Sequence, residues 1–158
     1  MSIVHGTPLG PLHLDASPRG LTLLGFSPAA SDEPRDADAE RVLDLARREI
    51  DAYFAGTLRE FTVPVDLDAH PAWDRRVLDG LASVGYGETV SYGKLAAAVG
   101  LEPVDARRVG GAMARNPVAI VVPCHRVVGA DGSLTGYAGG LERKRTLLDL
   151  EGRDQLLF

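Results

Sequence analysis

The pentapeptide Pro123-Cys124-His125-Arg126-Val127 sets the only cysteine of the chain directly beside a histidine, after the apolar run Ala119 to Val122. A single thiol can build neither an internal disulfide nor a cysteine-rich metal site, which leaves burial as a small hydrophobe or chemistry at sulfur. The neighbours favour chemistry. His125 is a potential base, and the positive charge of Arg126 is expected to favour the thiolate. Pro123 has no backbone N–H and so ends any central strand just before the thiol.

Stepping along the chain, Pro8 to Leu14 and Gly20 to Phe26 read as two strands paired around the turn residues Asp15 to Arg19. Ser27 to Asp36 reads as a Pro/Ser/Asp loop. Val42, Leu45, Ala46, Glu49, Ile50 and Tyr53 then fall at helical spacing up to Gly56, a C-cap residue. Phe61 to Asp66 reads as an edge strand, because Pro64 cannot donate to a ladder. Leu67 to Pro71 is the best boundary, which gives a structural domain over 1–70 and a functional one over 71–158.

Past that boundary, Trp73, Val77, Leu81 and Val84 mark a helix ended by Gly85-Tyr86-Gly87. Ser91 can cap the next helix, Tyr92 to Val99, and Pro103 suits the first position of a third, which runs to Arg115 and stops at Asn116-Pro117. Two short helices joined by a glycine-containing turn form a helix-turn-helix pattern, a weak indication of DNA binding by itself. On the third helix Ala106, Val109, Gly110 and Met113 are spaced to face a core, with Arg107, Gly111 and Ala114 on an adjacent face and Arg108 and Arg115 at the margins. Gly110-Gly111 costs the helix about 1 kcal/mol per glycine relative to alanine. Close approach of another backbone, from a packed strand or a nucleic acid, would account for it, as would internal packing alone.

The 158 residues are 45% hydrophobic and 25% charged, the composition of a globular protein of one ordinary or two small domains. Residues 1–70 hold 12 acidic and 6 basic side chains, net −6, whereas residues 71–158 hold 10 and 11, net +1. A polyanion would therefore be met by the second half, where Arg107, Arg108, Arg115, Arg126, Arg143, Lys144 and Arg145 lie. No apolar run is long enough to span a membrane. With no basic and apolar leader and one unpaired cysteine, the expected compartment is the cytoplasm. His5, His13 and His70 show no ligand spacing, so no metal and no cofactor is expected.

Taken in order, Tyr86 to Tyr92, Arg107 to Met113, Asn116-Pro117, Val122 to Val127, Gly136 to Leu141 and Leu147 to Gly152 resemble the O6-alkylguanine-DNA alkyltransferases, also called methylated-DNA–protein-cysteine methyltransferases. The resemblance covers about Trp73 to Gly152, and Thr7 to Leu12 is similar to the family's N-terminal domain. It implies an α+β fold, with a small N-terminal sheet-and-helix domain before a mostly helical domain that carries the helix-turn-helix and the cysteine. It also implies irreversible transfer of an alkyl group from the O6 of guanine in double-stranded DNA to Cys124. That transfer consumes the protein in one turnover.

The resemblance further implies that His125 removes the thiol proton through a water while Glu151 orients His125. Tyr92 would donate to the leaving guanine, and Asn116 would hold the active-site turn. Tyr137, Ala138 and Val127 would line the base pocket. Many relatives carry serine at the position of Ala138, so there the backbone N–H is the expected donor. The O6 atom of a stacked base is out of reach, which requires base flipping. The second helix of the pair, with Ala106, Gly110 and Gly111, would enter the minor groove, Arg107 would fill the gap left by the extruded base, and Arg108 would lie nearer the phosphates. Lys144 and Arg145 read as solvated surface. The protein is expected to act as a monomer. Two rivals stay open: a lesion sensor without transfer, against which Cys124 argues, and a cysteine hydrolase, for which adjacent Cys and His fit poorly.

Overall fold

The structure is a computed structural model that describes residues 2–28 and 34–152. Residues 29–33 of the expected Ser27 to Asp36 loop, and the end of the second expected domain from 153 to 158, lie outside the described residues. Internal contacts divide the chain into two units, Met1–Ala69 and His70–Phe158.

In the first unit β1 (Ile3–Thr7), β2 (Gly10–Ser17) and β3 (Gly20–Gly25) form an antiparallel meander in that order, and α1 (Ala37–Phe54) packs on β2 and β3. Leu12 and Leu14 alternate inward on β2, Leu21 and Leu24 complete the buried face of β3, and all four are fully enclosed. Leu43, Ala46, Ile50 and Tyr53 form the buried stripe of α1. The Asp36 carboxylate caps the helix by accepting from the Ala39 amide at 2.9 Å.

Three expectations change in this unit. The hairpin gains a strand, since Ile3–Thr7 pairs with β2 across a tight turn at Pro8-Leu9, where Thr7 Oγ1 donates to the Gly10 carbonyl at 2.7 Å. Asp15 to Ser17 continue β2 instead of turning, with a register shift between Asp15 and Ala16. Phe61 to Asp66 is no strand and makes a single bridge, Leu21 to Val65. Two of its amides are taken elsewhere: the buried Glu49 carboxylate accepts from Thr62 N at 2.9 Å and from Val63 N at 2.8 Å.

The second unit holds α2 (Ala72–Leu81), β4 (Val90–Ser91), α3 (Tyr92–Ala98), α4 (Ala106–Ala114), β5 (Val127–Val128) and α5 (Leu141–Leu150). Its α2 packs on α3 and α4 around Val77, Leu78, Leu81, Leu95, Val109 and Ala112. Ser91 caps α3 as expected, accepting from Lys94 N at 3.2 Å. The first helix stops at Leu81, and Val84 instead closes a turn onto the Leu81 carbonyl. Pro103–Asp105 is a 3₁₀ turn before α4, so the third helix begins at Ala106.

Two short elements had no counterpart in the sequence reading. Val90 and Ser91 pair in parallel with Val127 and Val128, which ties the start of α3 to the residues just after the cysteine. The apolar run Ala119 to Val122 is a buried reverse loop and not a strand: Val122 N bonds back to the Val118 carbonyl at 3.0 Å, and Ile120 has a φ of 72°. A β-branched residue in that region is strained and needs a surround that imposes it.

Candidate active site

Asn116 closes the reverse loop from both ends. Its Nδ2 donates to the Val122 carbonyl at 2.9 Å, and its Oδ1 accepts from Val118 N at 3.0 Å. The loop delivers Cys124 at the head of a 3₁₀ turn, Cys124–Arg126. Cys124 is partly exposed and stands in the wall of a cavity of about 290 Å³. Tyr92 from the start of α3 lines it, as do Gly110, Met113 and Ala114 from α4 and Gly136, Tyr137 and Ala138 from the segment before α5. Burial pushes the Cys124 thiol up, opposed by a hydrogen bond from Asn116 and by the charge of Lys144.

The next residue, His125, is fully buried and bonds through Nε2 to Glu151 Oε2 at 2.7 Å. Arg126 donates to the same carboxylate, Nε to Oε1 at 2.8 Å and a terminal nitrogen to Oε2 at 3.0 Å, and its other terminal nitrogen reaches the Val84 carbonyl at 2.7 Å. A carboxylate held in this fork stays ionised and can only accept. Nε2 must therefore carry the proton, which makes Nδ1 the basic nitrogen, and that atom is buried without a hydrogen-bond partner among the described residues. Burial holds the His125 ring below its ordinary value, against the pull of Glu151. Because Arg126 already balances Glu151, a second buried cation there would lack a counter-ion.

Glu151 is placed by its own flanks. The Tyr86 hydroxyl donates to the Leu150 carbonyl at 3.1 Å, and Gly87, at a φ of 81°, leaves room where a Cβ would come within 3.2 Å of the Glu151 carbonyl. The fork on Glu151 also revises the role expected of Arg126. Its guanidinium is spent on the carboxylate and not on the sulfur, since a bidentate partner lies in reach. Lys144 corrects the surface reading more sharply. It is fully buried, and its ammonium donates to the carbonyls of Val127 at 2.6 Å, Thr135 at 2.6 Å and Gly136 at 3.3 Å. The sign was in the sequence: Lys144 lies three and four residues before Leu147 and Leu148, on the apolar stripe of α5. Arg145 is exposed, as expected.

Of the expected pocket residues, Tyr137 and Ala138 stand at the cavity and Val127 does not; its side chain is fully buried in the β4–β5 pair. Tyr92 donates its hydroxyl to the Thr135 carbonyl at 3.2 Å. On α4, Arg107 and Arg108 are exposed, and the Arg108 guanidinium lies 4.1 Å from the centre of the Trp73 ring. The buried set is Val109, Ala112 and Met113, while Ala106 and Gly110 are half-buried, so Ala112 replaces them in the core. Neither glycine answers to a backbone of the protein: a Cβ at 110 would meet only the Tyr92 ring at 3.7 Å, and one at 111 only the Arg115 guanidinium at 3.4 Å. Among the described residues no group of three or more His, Cys, Asp or Glu is placed to hold a metal, and no helix is long and apolar enough to cross a membrane.

The chain matches two family models: "6-O-methylguanine DNA methyltransferase, ribonuclease-like domain" over residues 4–67 and "6-O-methylguanine DNA methyltransferase, DNA binding domain" over residues 72–153. It is 47% identical over 152 residues to a methylated-DNA--protein-cysteine methyltransferase of Mycobacterium leprae, covering 92% of this chain and 88% of that one. Its counterpart of the same name from Methanosarcina acetivorans is 42% identical over 92% of this chain and 94% of its own length. Among solved structures, Mycobacterium tuberculosis OGT in complex with DNA superposes with a TM-score of 0.84 at 42% identity, covering 95% of this chain and 92% of that one. The O6-methylguanine-DNA methyltransferase of the archaeon Pyrococcus kodakaraensis gives 0.65 at 30% identity, covering 96% and 99%. A thiol at a cavity wall, backed by a buried His–Glu pair, within a chain matched along nearly its whole length, places this protein in the 6-O-methylguanine DNA methyltransferase family.

Proposed function

We propose that Cys124 is the alkyl acceptor of a DNA repair reaction in which the alkyl group of O6-alkylguanine is transferred directly to sulfur. The carrying observation is Cys124 at the cavity wall, followed in the chain by a fully buried His125 whose tautomer is fixed by Glu151. In the step, the thiol proton passes to His125 Nδ1 through a water, the S–C bond forms as the C–O6 bond breaks, and guanine leaves. The Tyr92 hydroxyl moves from the Thr135 carbonyl to a ring nitrogen of the departing base and stabilises its negative charge. The Ala138 backbone N–H serves the base oxygen, Tyr137 packs against the base, and Asn116 holds the turn.

A thioether offers no good leaving group, so each molecule reacts once. The target base leaves the stack to enter the cavity. The helix α4 lies in the minor groove, where Gly110, Gly111 and Ala106 present little bulk, Arg107 fills the vacated gap, and Arg108 stays near the phosphates. The first unit carries no chemistry of its own. The protein works as a monomer in the cytoplasm. The test is a titration of a duplex carrying O6-methylguanine, with peptide mass spectrometry at long times. One methyl per protein on the Cys124 peptide is expected, with Cys124→Ala binding the duplex and transferring nothing. Repair well beyond one lesion per protein would favour a hydrolase, and binding without a mass gain would favour a lesion sensor.

A further inference from the structure

Lys144 is a fully buried charge that the reaction as written does not use. An ammonium has three N–H bonds, and here each has a carbonyl: Val127, Thr135 and Gly136. These acceptors lie on two separate segments. Val127 opens β5 directly after the Cys124–Arg126 turn, whereas Thr135 leads into Gly136, Tyr137 and Ala138, which line the cavity. The Thr135 carbonyl is also the acceptor for the Tyr92 hydroxyl. The choice of cation carries information too. Of the 17 basic residues in the chain only Lys94 and Lys144 are lysine, and Lys94 is exposed. A planar guanidinium suits flat, two-pronged acceptors, while three carbonyls converging on one point suit a compact ammonium.

We propose that Lys144 is a positioning residue for alkyl transfer: its ammonium pins the Thr135–Gly136 wall of the base pocket to β5 and so fixes that wall relative to Cys124. This rests on the reading of Cys124 as acceptor. When Tyr92 releases Thr135 to serve the substrate, Lys144 keeps that carbonyl satisfied and the wall in place. Burial lowers the Lys144 ammonium, and the neighbouring sulfur works to keep it charged, so the pin is firmest when the thiol ionises.

The test compares wild type, Lys144→Met and Lys144→Gln in two reactions of Cys124. One is transfer from a duplex carrying O6-methylguanine, followed to saturation. The other is alkylation by iodoacetamide, which needs the thiolate and not the pocket. Lys144→Met should lower the saturated transfer rate about a hundredfold, the cost of a misplacement near one ångström. Half-saturation by DNA and iodoacetamide reactivity at alkaline pH should stay within a few fold, and Lys144→Gln, which keeps two donors, should recover part of the loss. Transfer close to wild type, or equal losses in both reactions, would overturn the proposal. If neither variant folds, reductive methylation of the native wild type decides: Lys94 should be modified and Lys144 spared, and equal modification would sink the pin. Failure of wild type to transfer any methyl while its thiol reacts with iodoacetamide would instead count against Cys124 as acceptor, with the methylation contrast still reporting on Lys144.

Discussion

His125 can serve as a base only while its ring is neutral, and burial holds it neutral by lowering its pKa below the ordinary 6.5. The thiol is shifted the other way, above its ordinary 9.0. At neutral pH the pair therefore rests as thiol and imidazole, and a proton must move during the reaction. Transfer should stay near its plateau as pH falls through 6.5 and decline only below it, which a rate profile from about pH 5 to about pH 8 checks. The same shift has a sign for stability. Between the lowered folded value and 6.5 the unfolded chain binds more protons, so the fold should weaken as pH drops through that window. Glu151→Gln should leave slow transfer, and combined with a His125 change it should be less than additive, because the two share a function. It also leaves the buried Arg126 without its anion, so melting should be recorded beside the rate. Tyr92→Phe should slow transfer on the order of a hundredfold with DNA affinity nearly unchanged, and an unchanged rate would remove the hydroxyl from the mechanism.

Helix α4 carries two glycines that no neighbouring backbone among the described residues demands. Gly111 costs it roughly 1 kcal/mol relative to alanine, yet among the described residues an added Cβ would meet only the Arg115 guanidinium, at 3.4 Å, an ordinary contact distance. Gly111→Ala should therefore raise stability by up to about 1 kcal/mol in denaturant unfolding while weakening binding to duplex DNA. A variant that gained stability and kept full affinity would show that the bare face is not a docking surface. Arg115 has another duty at the end of this helix. Two of its nitrogens hold the buried Asp74 carboxylate of α2 at 2.7 and 2.8 Å, and this bond keeps Asp74 below the usual carboxylate range. Of the three arginines on α4 and at its C-terminal end, Arg107 is thus the exposed one that meets neither an aromatic ring nor a carboxylate among the described residues. Arg107→Ala should impair repair of a duplex far more than reaction with a free alkylated base, and equal losses would refute a role in flipping.

At the scale of the molecule, a net charge of −5 must be reconciled with a polyanionic partner. The imbalance sits in residues 1–70, at net −6, and the rest of the chain is close to neutral. Attraction to phosphates should then come from few side chains, and affinity should fall with salt on a shallow slope. Arg108, exposed and set against the Trp73 ring, is proposed to be one of them. Arg108→Ala should reduce that slope by about one, whereas Arg107→Ala should leave it unchanged if its side chain occupies the gap in the base stack. Binding isotherms over a salt series separate the two.

The cysteine beside a histidine, the glycine pair on a helix, Ser91 as a cap and most of the apolar stripe of α1, with Leu43 buried in place of Leu45, were legible because each is a local matter of spacing or side-chain chemistry. The order of the motifs pointed to Glu151 and Tyr92 only through resemblance to a family. Partnership across the chain was not legible. Nothing near Phe61 announces that Glu49, more than ten residues back, takes the amides a strand would need. Nothing around Arg126 says that its charge goes to Glu151 and the Val84 carbonyl. Lys144 is the sharpest case: its spacing to Leu147 and Leu148 marks it for the apolar stripe, but nothing in the sequence names the three carbonyls, on two separate segments, that let a lysine leave water. Sequence by itself determined which groups could react. Tertiary structure decided which buried charges face one another, because burying a charge is tolerated only where the fold supplies its partners.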